Sequence, residues 1–92
     1  MNQFSLLGEI IFVGELRFTP SGLALLEFKV KHDASQDEAN LTKKVYLEIN
    51  CRVAGSLANT KLNLGDKRIF RGFMQNRSLK SQQIIFHVTS IE

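Results

Sequence analysis

The chain has 92 residues, 43% of them hydrophobic and 23% charged, with a single proline, so it holds one core and has the composition of an ordinary globular protein. That excludes a disordered chain, and no apolar run approaches the roughly 18–20 residues that cross a bilayer. The net charge of +3 is uneven: residues 1–42 carry 3 basic and 6 acidic side chains, a balance of −3, and residues 43–92 carry 9 and 3, a balance of +6.

From Phe4 to Phe18 the even positions are apolar or glycine throughout (Phe4, Leu6, Gly8, Ile10, Phe12, Gly14, Leu16, Phe18), while the odd ones include Ser5, Glu9, Glu15 and Arg17. Period 2 predicts one long strand with its even side buried, and Gly8 and Gly14 predict bulges or bends that coil it around a small barrel. The odd side also carries Leu7, Ile11 and Val13. A strand apolar on both sides needs cover on both, which predicts a subunit interface through these three residues.

Thr19-Pro20-Ser21-Gly22 predicts a turn, with proline setting φ and glycine free to take a positive one. The second strand puts Ala24, Leu26, Phe28 and Val30 on one side and Glu27, Lys29 and Lys31 on the other. The polar, acidic stretch 33–42 is expected to be a hairpin loop. In the third strand, 43–53, the spacing points Val45, Leu47, Ile49, Cys51 and Val53 inward and Lys44, Tyr46, Glu48, Asn50 and Arg52 outward. Residues 54–62 lose the alternation, as a short helix or irregular connector would. Leu64-Gly65-Asp66 turns into a fourth strand, 67–75, and residues 76–83 read as a loop before a fifth strand, 84–91.

Five strands, the first long and bent, with a short helical or irregular element between the third and fourth, predict an all-β OB-fold barrel over residues 1–92 as one domain. The competing five-stranded architecture, an SH3-like barrel, usually lacks an element at that point.

Catalytic constellations are absent from the sequence. There is no Walker A loop, nucleophile elbow or His-Glu-x-x-His, and His32 and His87 have no neighbours at metal-ligand spacing. Cys51 stands alone, so an internal disulfide or cysteine-based metal site is excluded. No enzyme, cofactor, metal, membrane or small-molecule substrate is expected. With no basic n-region or long h-region after Met1, the chain reads as cytoplasmic.

A binding surface is easier to read. Tyr46 is expected on an outer surface between Lys44 and Arg52, where an aromatic ring can stack a base while cations hold the backbone. It is equally what an ordinary strand residue with its hydroxyl in water looks like. Arg77 and Lys80 lie in the loop between the fourth and fifth strands, which with the first hairpin is where OB-folds usually contact oligonucleotides.

Several of these segments together resemble the primosomal replication protein N (PriB) family, small relatives of bacterial single-stranded DNA-binding proteins. They are Asn2 to Gly8, Thr19-Pro20-Ser21-Gly22, Phe28-Lys29-Val30-Lys31-His32, Ser35-Gln36-Asp37-Glu38-Ala39, and Leu64-Gly65-Asp66 leading to Arg71-Gly72-Phe73. The resemblance covers nearly the whole chain. It implies a homodimer of OB-folds joined through the first strand, binding single-stranded DNA and working with the restart helicase and other primosome proteins. Tyr46 falls where the family tends to have a DNA-binding tryptophan, Lys43 and Arg17 fall at basic positions, and Arg77 and Lys80 lie where the family loop carries lysines. That loop is shorter and less basic here, and Asp33 stands where a basic residue is expected. The alternatives are a general single-stranded DNA-binding protein and an OB-fold module that contacts only proteins. The first usually has a long flexible tail and several stacking aromatics. This chain stops at Glu92, directly after the fifth strand, and has no tryptophan.

Overall fold

In a computed structural model describing residues 1–92, the chain forms β1 (Phe4–Val13), β2 (Arg17–Phe18), β3 (Ala24–Glu38), β4 (Leu41–Ala54), a 3-10 turn (Gly55–Asn59), β5 (Lys67–Asn76) and β6 (Ile84–Ile91). The strand order is β1-β5-β6-β4-β3-β2, and a further pairing of β1 with β3 closes the sheet on itself. β4 and β6 run parallel and all other neighbours antiparallel. This is the OB-fold barrel, with β1 and β2 together supplying the first of its five strands.

Alternation fills the interior. Ile10, Leu26, Phe28, Val30, Ile49, Cys51, Val53, Phe70, Phe86 and Val88 form one buried cluster, and Ala58 and Leu62 extend it through the 3-10 turn and the segment after it. The Phe28 and Phe70 rings lie 5.4 Å apart within it. Burial pushes the Cys51 thiol up to about 12, so it packs as a small apolar side chain and not as a nucleophile.

The first strand is not continuous. β1 pairs Ile10 with Val30 and then Phe12 with Lys29, leaving Ile11 as the extra residue of a bulge. An inserted residue reverses the facing of everything after it. Val13, expected outward, therefore packs against the core, and Phe12, expected inward, is 55% exposed. The chain leaves the sheet at residues 14–16, as Gly14 suggests, with the Gly14 N–H still donating to the Glu27 carbonyl at 2.8 Å. Leu16 and Phe18 then lie exposed at the margin, and Phe4 is exposed too. Gly8, by contrast, pairs regularly with Arg68 and makes no bulge.

The stretch 33–42 is not a loop. β3 and β4 stay paired from Asp33↔Tyr46 out to Glu38↔Leu41 and turn on Ala39 and Asn40 alone. Both have left-handed backbones, with φ of 51° and 64°, as a two-residue I′ turn requires. The ribbon stands off the barrel with both sides largely in water. Its strands therefore need no apolar alternation, and residues 33–42 show none. The same overhang moves Val45 and Leu47 out of the core: Val45 is half-buried and Leu47 exposed.

The other segments follow the sequence pattern closely. Gly22 takes φ 89° in the expected turn and donates its N–H to the Thr19 carbonyl. At Gly72, where the β5–β6 register slips, a Cβ would come within 1.8 Å of the His87 carbonyl oxygen, so no side chain fits.

Val53 and Val45 share a strand and a side but differ in burial, which makes a matched pair. Val53→Ala should cost about 2–3 kcal/mol in urea unfolding, and Val45→Ala less than about 1 kcal/mol. Equal losses would contradict the placement of the ribbon outside the core.

Candidate nucleic-acid interface

Cross-strand pairing arranges the outer surface in rows. Glu27 of β3 lies beside Arg52 of β4, which lies beside His87 of β6, which lies beside Phe73 of β5. The next row is Phe12, Lys29 and Asn50, then Glu9, Lys31 and Glu48, and farther along the ribbon Asp33 beside Tyr46 and Ser35 beside Lys44. At about 3.3 Å per residue, Tyr46 and Arg52 are separated by about 20 Å along one side of one strand.

Two elements distant in sequence converge on the first row. Arg17, on β2, donates to Glu27 Oε2 at 2.7 Å. Arg77, just past β5, reaches Glu27 Oε1 at 3.1 Å, and Arg52 approaches the same oxygen at 3.4 Å. Burial alone would raise the Glu27 carboxyl. The hydrogen bond from Arg77 and the charges of Arg52, Arg77 and Arg17 outweigh it and hold the carboxyl below its ordinary 4.5. Arg77 is itself braced by Gln83, whose side-chain carbonyl accepts from Arg77 Nε at 3.0 Å. The Arg52 Nε–H is buried with no partner.

Tyr46 is 58% exposed, so its ring is open to stacking. Its hydroxyl donates to the Glu48 carboxylate two residues on, which raises the phenol above its ordinary 10.0. Lys44 shares the outer side with Tyr46, whereas Lys43 points to the opposite side of the ribbon and bonds Glu38 at 2.9 Å. Lys80 is exposed in the loop after β5. The six cations and aromatics picked out by sequence thus divide: Arg17, Arg77, Lys44 and Tyr46 share the outer surface with Arg52, Lys80 rides on the adjoining loop, and Lys43 faces away.

Sequence reasoning missed four residues of this surface. Arg52 and Glu27 were legible as outward-facing but not as neighbours of Arg17 and Arg77, because only the pairing register shows that. Phe12 joins the surface through the bulge at Ile11. Phe73 stacks on the His87 ring with centroids 4.9 Å apart and planes 2° from parallel. A shallow concavity of about 350 Å³ opens beside that stack near Arg52 and Ser56. A larger one, about 820 Å³, lies around Gln3, Arg71 and Ser90 and shares Phe73 with the first, but none of Arg17, Arg52 or Arg77 lines it. We assign the site to the rows, because charge and exposed rings coincide there.

The expected interface residues also divide. Leu7 is 54% exposed and paired with Ile69, itself 36% exposed. Ile11 is half-buried at the bulge, and Val13, half-buried too, packs against the core. Phe4–Gly8 pair with β5 on one edge, while pairing to β3 begins only at Glu9, so the other edge carries no strand. The His32 ring sits at that edge, its Nδ1 2.6 Å from the Leu7 carbonyl oxygen. No group of three or more metal-ligating side chains is gathered anywhere, and no helix is long and apolar enough to cross a membrane.

A family model described as another single-strand binding protein family matches residues 2–90 of the chain. The replication restart protein PriB of Neisseria gonorrhoeae is 30% identical over 78 residues, covering 84% of this chain and 78% of that protein. PriB of Nitrosomonas europaea is 28% identical over 89 residues, covering 95% and 82%. The solved structure of PriB from Ralstonia solanacearum superposes with a TM-score of 0.89 at 20% identity, covering 100% of this chain and 97% of that one, and shows the same fold. The chain belongs to the replication restart protein PriB family of single-strand binding proteins.

Burial, and after it the charge of Arg52, pulls the His87 imidazole below its ordinary 6.5. The unfolded chain then takes up this proton first as pH falls. The stabilising contribution of neutral His87 is therefore complete above 6.5 and lost as pH drops through the lower folded value. An NMR titration should give His87 a midpoint below 6.5; a midpoint at or above it would contradict the packing against Phe73 and Arg52.

Proposed function

We propose that the protein binds single-stranded DNA along the outer surface of β3 and β4 and serves, without a catalytic step of its own, as an accessory in replication restart in the cytoplasm. It works there alongside the restart helicase and other primosome proteins. The observation that carries this reading is the convergence of Arg17, from β2, and Arg77, from the loop after β5, on Glu27, on the same outer surface that exposes Tyr46 farther along β4. Relatives named replication restart protein support the cellular role.

Tyr46 stacks a base, Lys44 and Lys80 contact backbone phosphates, and Lys43 contributes only by steering from the far side of the ribbon. Little base preference follows, because stacking and phosphate contacts read no hydrogen-bond pattern. Two copies associate through β1, using its unpaired edge at Phe4–Gly8 and the exposed side chains of Leu7 and Ile69 next to Ile11. Val13, turned inward, takes no part.

Fluorescence anisotropy of a labelled oligothymidylate at two salt concentrations tests the reading: affinity should fall as salt rises. No binding at low salt would leave a module that contacts only proteins. Tyr46→Ala should weaken binding by about 1–3 kcal/mol and leave the salt slope alone. Lys80→Ala should weaken it and make the log–log slope shallower by about 0.7. Light scattering should give a dimer at micromolar concentration that Leu7→Glu converts to a monomer; a wild-type monomer would contradict the assembly.

A further inference from the structure

We propose that Arg17, Arg52 and Arg77 form a single phosphate-binding site and that the Glu27 carboxylate is its resident competitor, an internal anion that a DNA phosphate must displace. The inference rests on the nucleic-acid reading above and concerns what limits affinity at that surface.

The geometry is that of an occupied anion site. Two carboxylate oxygens receive guanidinium groups from three separate elements: Arg17 on Oε2 at 2.7 Å, and Arg77 and Arg52 on Oε1 at 3.1 and 3.4 Å. Guanidinium forks suit phosphate oxygens as well as they suit carboxylates. With three cations and one anion, the cluster keeps a charge of +2, so a carboxylate alone does not saturate it. Nor does stability explain it. One cross-strand partner, Arg52, would suffice for Glu27, and the pair with Arg17, whose side chain is 58% exposed, contributes little to folding. The site is also reachable, since 27% of the Glu27 side chain and 58% of the Arg17 side chain are exposed.

Arg52 is the least committed member. Its contact to Glu27 is the longest of the three, and its Nε–H has no partner. Transfer from the carboxylate to an incoming phosphate therefore breaks little at Arg52, while Arg17 and Arg77 exchange one oxyanion for another. In the free protein Glu27 keeps the three guanidinium groups together against their mutual repulsion. In the complex it is a negative charge beside a phosphate, which opposes binding.

A carboxylate that only fastened the two loops in a binding-ready position would give the opposite result on removal, so the sign of the change decides. Glu27→Gln keeps the shape and one acceptor oxygen but removes the charge. Anisotropy with a labelled oligothymidylate should show binding about three- to tenfold tighter at low salt. The log–log salt slope should be steeper by about 0.7, reflecting one more effective cation. Arg52→Met, which keeps the aliphatic stem, should weaken binding and make the slope shallower, with both variants melting as cooperatively as wild type. Unchanged or weaker binding by Glu27→Gln, or an unchanged slope in Arg52→Met, would overturn the proposal while wild type still binds. Absence of binding by wild type itself would instead overturn the nucleic-acid reading.

Discussion

β1 hydrogen-bonds to β5 through Phe4–Glu9 and to β3 through Glu9–Val13, and the barrel closes because one strand serves both neighbours. Such a strand must turn sharply where it changes partners, and the bulge at Ile11 lies just beyond that point. Everything on the outer surface inherits its position from this closure. With β1 fixed against β3, the β3–β4 register brings Glu27 beside Arg52. The parallel pairing of β4 with β6 then extends that row to His87 and Phe73. The same switch leaves one edge of Phe4–Gly8 without a strand, and an unpaired edge in a small barrel invites either capping or a partner.

The lopsided charge along the chain is partly undone in space. Acids of the first half meet bases of the second, Glu27 with Arg52 and Arg77 and Glu38 with Lys43, and Arg17 joins from the first half. The pairing is incomplete, because three arginines share one carboxylate and Lys44 and Lys80 lie in the open. A surface of this kind is cationic without being densely so. Specificity for single strands would come from exposed rings, and attraction from a few cations that a built-in anion holds in check.

Period 2 made most of the barrel legible, since one wall of each strand faces a core and the other faces water. Leu26, Phe28 and Val30, and Ile49, Cys51 and Val53, lie buried where alternation puts them. It failed where that contrast stops. The ribbon of Asp33–Glu38 and Leu41–Tyr46 has water on both sides, so 33–42 carries no pattern and reads as loop, while the alternation from Lys43 onward points Val45 and Leu47 at a core that the ribbon does not reach. At Ile11 a single extra residue inverted the facing of Phe12 and Val13, a backbone event with no residue type to announce it. The surface was legible in part: Arg17, Lys44, Tyr46 and Arg77 could be picked out individually. The meeting of Arg17 and Arg77 with Arg52 at Glu27 depends on contacts between residues 10, 25 and 50 positions apart, which no local pattern encodes.

DNA lying across the outer surface of β3 and β4, as proposed, would leave its own signature in solution. Amide and side-chain NMR shift changes on titrating the protein with oligothymidylate test it most directly. Changes should concentrate at Lys29, Tyr46, Asn50, Arg52 and the Arg77 side chain, with little at Leu7 and Ile69. Changes centred on Leu7, Ile69 and Arg71 instead, with Tyr46 and Arg52 undisturbed, would contradict the proposal.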